Sequence, residues 1–172
     1  AALPTTLSGL SCVVIRDGGT YNEQVKIQGF TNNGYRISIF ADPGSGLSPV
    51  VIPPTFSTGA FVIMNASVTV AGIDIQASAA FVPYGVQASS AYVTISSVNV
   101  NSFTTIYVAG VSLSSYSSLS YSTITVQNAY GMILGGSNNA VSYSTMTSSS
   151  AGFPALWLSG ASSNTITRSR IA

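Results

Sequence analysis

The sequence predicts an all-β chain wound as a parallel β-solenoid of about seven coils. Three observations carry that prediction. Five segments share the pattern apolar–x–apolar–x–x–apolar or a close variant: Val68–Ile73, Val93–Val98, Leu119–Ile124, Val141–Met146 and Ile166–Ile171, the last with Arg168 in place of the middle apolar residue. Their first residues lie 25, 26, 22 and 25 positions apart, a period typical of solenoids. A second set of short apolar runs sits between them: Phe61–Met64, Gly85–Ala88, Thr105–Val108, Gly131–Leu134 and Ala155–Leu158. Finally, residues 75–167 contain no Asp, Glu, Lys or Arg, so the long charged helix-forming side chains that helical repeats use are missing. No 3.6-residue apolar stripe persists over ten positions, and no leucine framework recurs.

The N-terminal third reads as less regular coils of the same column. Residues 12–15 form a strand, Asp17-Gly18-Gly19 a turn, and Val25 and Ile27 an inward pair. Ile37 and Ile39 belong to the next strand, which Asp42-Pro43-Gly44 ends, and Pro53-Pro54 stops the strand at 50–52. Residues 42–59 and 148–154 read as projecting loops. In each repeat the apolar members are expected inward, Tyr143 with Val141 and Met146 among them, while Ser and Thr face water. Arg168, at the same motif position, would be a costly inward charge unless its coil ends the column. The whole chain, 1–172, is read as one domain, a fragment of a longer helix or protein or part of a stacked assembly.

Charge and composition exclude several functions. Five basic and four acidic residues give a net charge of +1, with no basic stripe for nucleic acid. With no His and one Cys, a Ser-His-Asp triad, a Cys-His pair and a conventional zinc site cannot be assembled. No apolar run reaches membrane-spanning length, and the start, AALPTT, lacks a signal-peptide pattern. Cys12, beside Val13, Val14 and Ile15, is expected to be a buried thiol. Asn65-Ala-Ser67 is an N-glycosylation acceptor only in a eukaryotic secretory setting.

The segment Ile15–Ile27, through Gly19, Tyr21, Glu23, Val25 and Ile27, resembles the first coils of pectin-methylesterase-like and pectin-lyase-like right-handed parallel β-helices. Residues 131–147 and 158–171 are similar to the generic repeat of that fold. The resemblance implies a right-handed parallel β-helix, and no catalytic residues come with it. The paired aspartates, paired glutamines and arginine of the esterases have no counterpart among residues 75–167, where Gln87 and Gln127 stand alone. The calcium-binding acids of the lyases and the clustered aspartates of polygalacturonase-like enzymes are absent there too.

No catalytic residue, metal site or cofactor is therefore assigned. Of the four carboxylates, Asp17 and Asp42 are read as turn residues and Glu23 as a partner of Lys26 or Arg36. Asp74 is expected on an outward file with Asn99, Thr125 and Thr147. The ligand-binding candidates are Gln87, Tyr107, Ile133 and Trp157, an outward file begun by Ile63, with Tyr84 and Phe153 flanking it. Such a strip stacks sugar rings, meets another chain, or lies under a loop. Thr123, Thr125, Thr145 and Thr147 form a small threonine array of the ice-binding type.

These features point to a non-catalytic, secreted or cell-surface structural or adhesive segment. Its expected partners are a polysaccharide or a surface protein, with end-to-end or lateral self-association. A carbohydrate-active enzyme or its remnant is the alternative, and an ice-binding protein a third.

Overall fold

The structure, a computed structural model, describes residues 5–77, 81–102 and 105–172; the first four residues of the AALPTT start lie outside them. Twenty short strands form three parallel sheets. The first stacks Ser11–Ile15, Ile37–Ala41, Val68–Ala71, Thr94–Ser96, Ser118–Ser120, Ala140–Ser142 and Thr165–Thr167. The second stacks Thr20–Tyr21, Val50–Val51, Asp74–Gln76, Asn99–Ser102, Thr123–Val126, Thr145–Ser148 and Arg170–Ile171. The third stacks Val25–Ile27, Gly59–Ile63, Val82–Ala88, Ile106–Leu113, Tyr130–Leu134 and Leu156–Leu158. Each of the first six coils gives one strand to each sheet and the last gives one to the first and one to the second, which makes the chain a parallel β-solenoid of six to seven turns. Among the described residues no helix is long and apolar enough to cross a membrane.

The core is a set of vertical apolar files. Val70, Ile95, Leu119 and Val141 line the first sheet in register. Ile75, Val100, Ile124 and Met146 line the second. Phe61, Val86, Val111 and Met132 line the third. All are buried. Strands of three or four residues have no independent stability; backbone bonds to the coils above and below hold them.

Register corrects the expected alignment. Leu119 stacks on Ile95, not Val93, and Ile124 on Val100, not Val98. Val93 and Ile95 both point inward, so a two-residue slip preserves the apolar phase and the sequence pattern does not expose it. One consequence is that Tyr143 is not inward. Gly72, Ser97, Tyr121, Tyr143 and Arg168 form one corner between the first and second sheets, each with positive φ, and the two tyrosines and Arg168 are exposed. The Arg168 guanidinium thus faces water, where it lies 5.3 Å from the centre of the Tyr143 ring and donates a hydrogen bond to its hydroxyl. Cys12 is exposed rather than buried, because its side chain alternates outward, in register with Ser38, while Val13 follows the inward file of Ile39.

A second positive-φ corner joins the third sheet to the first through Ser67, Tyr92, Tyr116, Asn138 and Ser163. For most residues this conformation costs roughly 1–2 kcal/mol. It is enforced by the stack: Tyr92, Tyr116 and Asn138 donate their backbone N–H groups to Ser115, Ser137 and Ser162 of the next coil.

Just inside both corners the sequence changes from apolar to polar. Val68 and Val93 give way to Ser117, Asn139 and Asn164, and Ile73 and Val98 to Ser122, Ser144 and Ser169. These side chains accept backbone N–H groups from the coil before. Val93 donates to Ser117 Oγ at 3.1 Å, Ser117 to Asn139 Oδ1 at 2.8 Å, and Asn139 to Asn164 Oδ1 at 2.8 Å. Val98, Ser122 and Ser144 donate likewise to Ser122, Ser144 and Ser169. Two polar ladders therefore run along the core edge without leaving those donors unmet.

Candidate functional site

The carboxylates are dispersed along the column and three are engaged locally. Asp17 Oδ1 accepts from the Tyr21 hydroxyl at 2.7 Å and the Gly19 N–H at 2.9 Å; these bonds, the phenol's first, hold its pKa below the ordinary carboxylate value and raise that of Tyr21. Asp42 Oδ1 accepts the Gly44 N–H at 2.9 Å, the turn role expected of it. Asn99 donates to Asp74 Oδ1 at 2.8 Å. Glu23 lines a cavity of about 270 Å³ with Val13, Ile15, Tyr21 and Val25. Arg36, an expected partner of Glu23, spans two rungs of the first sheet to donate to Thr69 Oγ1 and Thr94 Oγ1 at 2.9 and 3.1 Å. Among the described residues no three His, Cys, Asp or Glu side chains gather to hold a metal ion.

The expected outward strip is partly assembled. Val62, Gln87, Ser112, Ile133 and Trp157 are in register on the third sheet. Ser112 replaces Tyr107 and Val62 replaces Ile63, which is fully buried. The reason is the eight-residue strand Ile106–Leu113, whose register shifts between Ile106 and Ala109. Its later part, Val111–Leu113, carries the repeat, so the run containing Tyr107 is the wrong one. Val62 and Ile133 are also buried despite their outward phase. Trp157 is exposed on one side and stacks on Tyr130 at 4.8 Å, with Phe153 meeting Tyr130 edge-on at 5.4 Å. Tyr84 lies opposite Gly59 and Ala109, and Ala109 opposite Tyr130. Tyr107 instead joins Phe56, Phe81 and Pro83 around a separate cleft of about 520 Å³.

The threonine array is present but small. Thr123 pairs with Thr145 and Thr125 with Thr147. Asn99 and Asn101 follow on one side, then Asp74 and Gln76, while Arg170 pairs with Thr145 on the other. Asp74 therefore shares its file with Asn99, Thr123 and Thr145, not with Thr125 and Thr147. The two-residue slip accounts for this difference as well.

The aromatic corner residues form a feature that apolar patterning obscures. Phe56, Phe81, Tyr92, Tyr116, Tyr121 and Tyr143 all combine positive φ with an exposed side chain. They pair between coils as parallel rings: Tyr121 on Tyr143 at 4.9 Å, Tyr92 on Tyr116 at 5.3 Å, and Phe56 beside Phe81 at 6.3 Å. The spacing of 22 residues between Tyr121 and Tyr143, and of 24 between Tyr92 and Tyr116, was visible in the sequence. Tyr121 and Tyr143 occupy positions of the repeat that read as inward, while Tyr92 and Tyr116 lie outside its apolar members. The two tyrosine pairs stand at opposite corners of the first sheet. Its outer face between them carries Thr94, Ser96, Ser118, Ser120 and Ser142, with Ser120 donating to Ser96 at 3.1 Å.

Comparison with protein-family models, curated proteins and solved structures gives no significant match, so the functional reading rests on the residues and geometry of this chain.

Proposed function

We propose that the chain is a non-catalytic structural or adhesive β-solenoid segment, secreted or displayed at a cell surface, that contacts neutral glycan along its outer face. The observation that carries this reading is the set of six exposed aromatic residues in the left-handed conformation. An exposed ring forgoes burial worth about 1.5–3 kcal/mol, and the backbone adds its own strain. Stacking returns only about 0.5–1.5 kcal/mol per pair. Because Ser67, Ser97, Asn138 and Ser163 fill equivalent corners of other coils with the same backbone conformation, the choice of an exposed ring at these positions points to a surface role. Flat rings beside rows of hydroxyls, with the bordering Arg36 and Arg168 guanidiniums already held by Thr69, Thr94 and Tyr143, suit a ligand that is itself uncharged, hydroxylated and apolar on one side. Dispersal of the carboxylates supports a binding role, since glycoside hydrolysis by the usual route needs two flanking one bond. The winding is proposed to be right-handed and pectin-lyase-like, as the resemblance of Ile15–Ile27 suggests and as parallel crossovers overwhelmingly are.

The test is retention on insoluble neutral polysaccharides, with analysis of any released product. Retention without product release, weakened by Tyr121→Ser and Tyr143→Ser together, is the expected result. Release of reducing ends or unsaturated sugars would establish the enzymatic alternative. Capture by a protein but by no polysaccharide would move the partner to another class.

A further inference from the structure

We propose that the concavity between the 42–49 loop and the outer face of the first sheet is a subsite for one hexopyranose unit of a neutral glycan. This rests on the reading of the chain as a glycan-contacting module, and gives that contact a place and a chemistry.

The concavity holds about 520 Å³ and combines an apolar surface, from Phe40, Leu47 and Ala71, with polar groups from Ser38, Asp42 and Thr69. An apolar pocket with a few convergent polar groups is the usual form of a small-molecule site. It is also built in advance. The Ser45 N–H and hydroxyl both donate to the Asp42 carbonyl, at 3.0 and 2.7 Å, and Leu47 N–H donates to Ser45 Oγ at 3.2 Å. With the Asp42–Gly44 bond, four hydrogen bonds brace the loop, so binding does not have to order it.

The polar groups select the ligand. Asp42 commits Oδ1 to the turn; its second oxygen has no protein donor among the described residues and remains an acceptor. Thr69 Oγ1 already accepts from Arg36, which leaves its own hydrogen free to donate. Asp42 stands four residues beyond Ser38, the register partner of Thr69, so the negative acceptor and the hydroxyl donor lie towards opposite ends of the concavity and meet hydroxyls on opposite edges of a pyranose, whose C–H face fits the Phe40 side. A purely aliphatic ligand would strip water from these groups and leave them unpaired. Uronate, phosphate or sulfate placed against Asp42 would be repelled by its carboxylate, and the Arg36 guanidinium at the Thr69 end is already engaged by Thr69 and Thr94. The in-register file Thr69, Thr94 and Ser118 continues away from the site along the column axis, with a rung spacing of about 4.8 Å. That spacing is close to the length of one sugar unit in an extended chain, so further units of an oligomer can follow the file past the Arg36 guanidinium that bridges Thr69 and Thr94.

The experiment is a backbone amide NMR titration of the whole chain with glucose, with β-1,4-linked gluco-, manno- and galacto-tetraoses, and with tetragalacturonate. At least one neutral tetraose is expected to shift residues 38–48 and 69–72. Glucose and tetragalacturonate should both bind more weakly. Asp42→Asn, which keeps the turn acceptor and removes the charge, should weaken tetraose binding about tenfold with an unchanged circular dichroism spectrum. Leu47→Ser, at an exposed position, should weaken it as well. If the protein is retained on neutral polysaccharide while shifts occur only near Tyr121 and Tyr143, the subsite is refuted and the glycan-contact reading stands. Equal binding of tetragalacturonate, or unchanged affinity in Asp42→Asn, also refutes it. If neither retention nor shifts occur, both readings fall.

Discussion

Asn138 and Asn139 are adjacent, yet the structure assigns them opposite costs. Asn139 is 2% exposed; its Oδ1 accepts the Ser117 N–H and its Nδ2 donates to the Gly136 carbonyl, both at 2.8 Å. In Asn139→Ala the Gly136 oxygen keeps a bond from Asn164 Nδ2 at 3.2 Å, but the Ser117 N–H loses its acceptor inside the column. An unmet buried donor costs about 1–3 kcal/mol and the second lost bond about 1 kcal/mol, so the expected loss is about 2–4 kcal/mol. Asn139→Ser should recover part of it, because Ser117 performs the same task for Val93 one coil earlier. Asn138 is exposed with φ near 61°. Asn138→Gly relieves strain while adding unfolded-chain entropy, and should stay within about 1 kcal/mol of wild type. Urea denaturation followed by far-ultraviolet circular dichroism measures both variants, with a constant m value as the condition for comparison. The polar-ladder argument fails if Asn139→Ala unfolds within about 0.5 kcal/mol of wild type, or if Asn138→Gly loses as much.

Two further outcomes follow from the packing and the turns. Gly85→Ala should destabilise the chain by about 1–3 kcal/mol in the same assay, because a Cβ there would lie 2.6 Å from the Gly110 carbonyl oxygen and 2.8 Å from Val100 Cγ1; unchanged stability would mean that the third sheet packs more loosely here than the structure shows. Asp17 should titrate below the ordinary carboxylate value, and Tyr21→Phe should return it towards about 3.9, since the phenol bond is the main cause of the lowering. The contribution of that turn to stability is thus complete above about pH 3.9 and disappears as pH falls through the lowered folded value. An NMR titration in which Tyr21→Phe leaves the Asp17 midpoint unmoved would contradict this cause.

The repeat was legible because solenoid coils reuse one environment. Inward positions at Val70, Ile95, Leu119 and Val141 demand apolar side chains, and that demand recurs every 22–25 residues. The turn roles of Asp17 and Asp42 were equally readable, since both depend on neighbours two residues away. Part of the outer strip was legible too: Gln87, Ile133 and Trp157 do share a file. Tyr107 was misplaced because its strand holds two apolar stretches, Ile106/Val108 and Val111/Leu113, of opposite phase on either side of a register shift, and only the partner strands select between them. Tyr143 was misplaced because aromatic identity suggests burial, whereas a positive-φ corner turns its side chain to water.

The sequence by itself determined that this is an all-β repeat protein, that its middle is uncharged, and that the chemistries needing histidine or paired thiols are closed to it. Those conclusions depend on composition and period, which survive a slip of two residues. Tertiary structure alone decided the register, the exposed aromatic corners, the two internal polar ladders and the concavity under the 42–49 loop. Each joins groups about 20–35 residues apart, and their contact depends on how many residues every corner consumes. Apolar alternation repeats every two residues and is blind to that count; hydrogen bonds between coils are not.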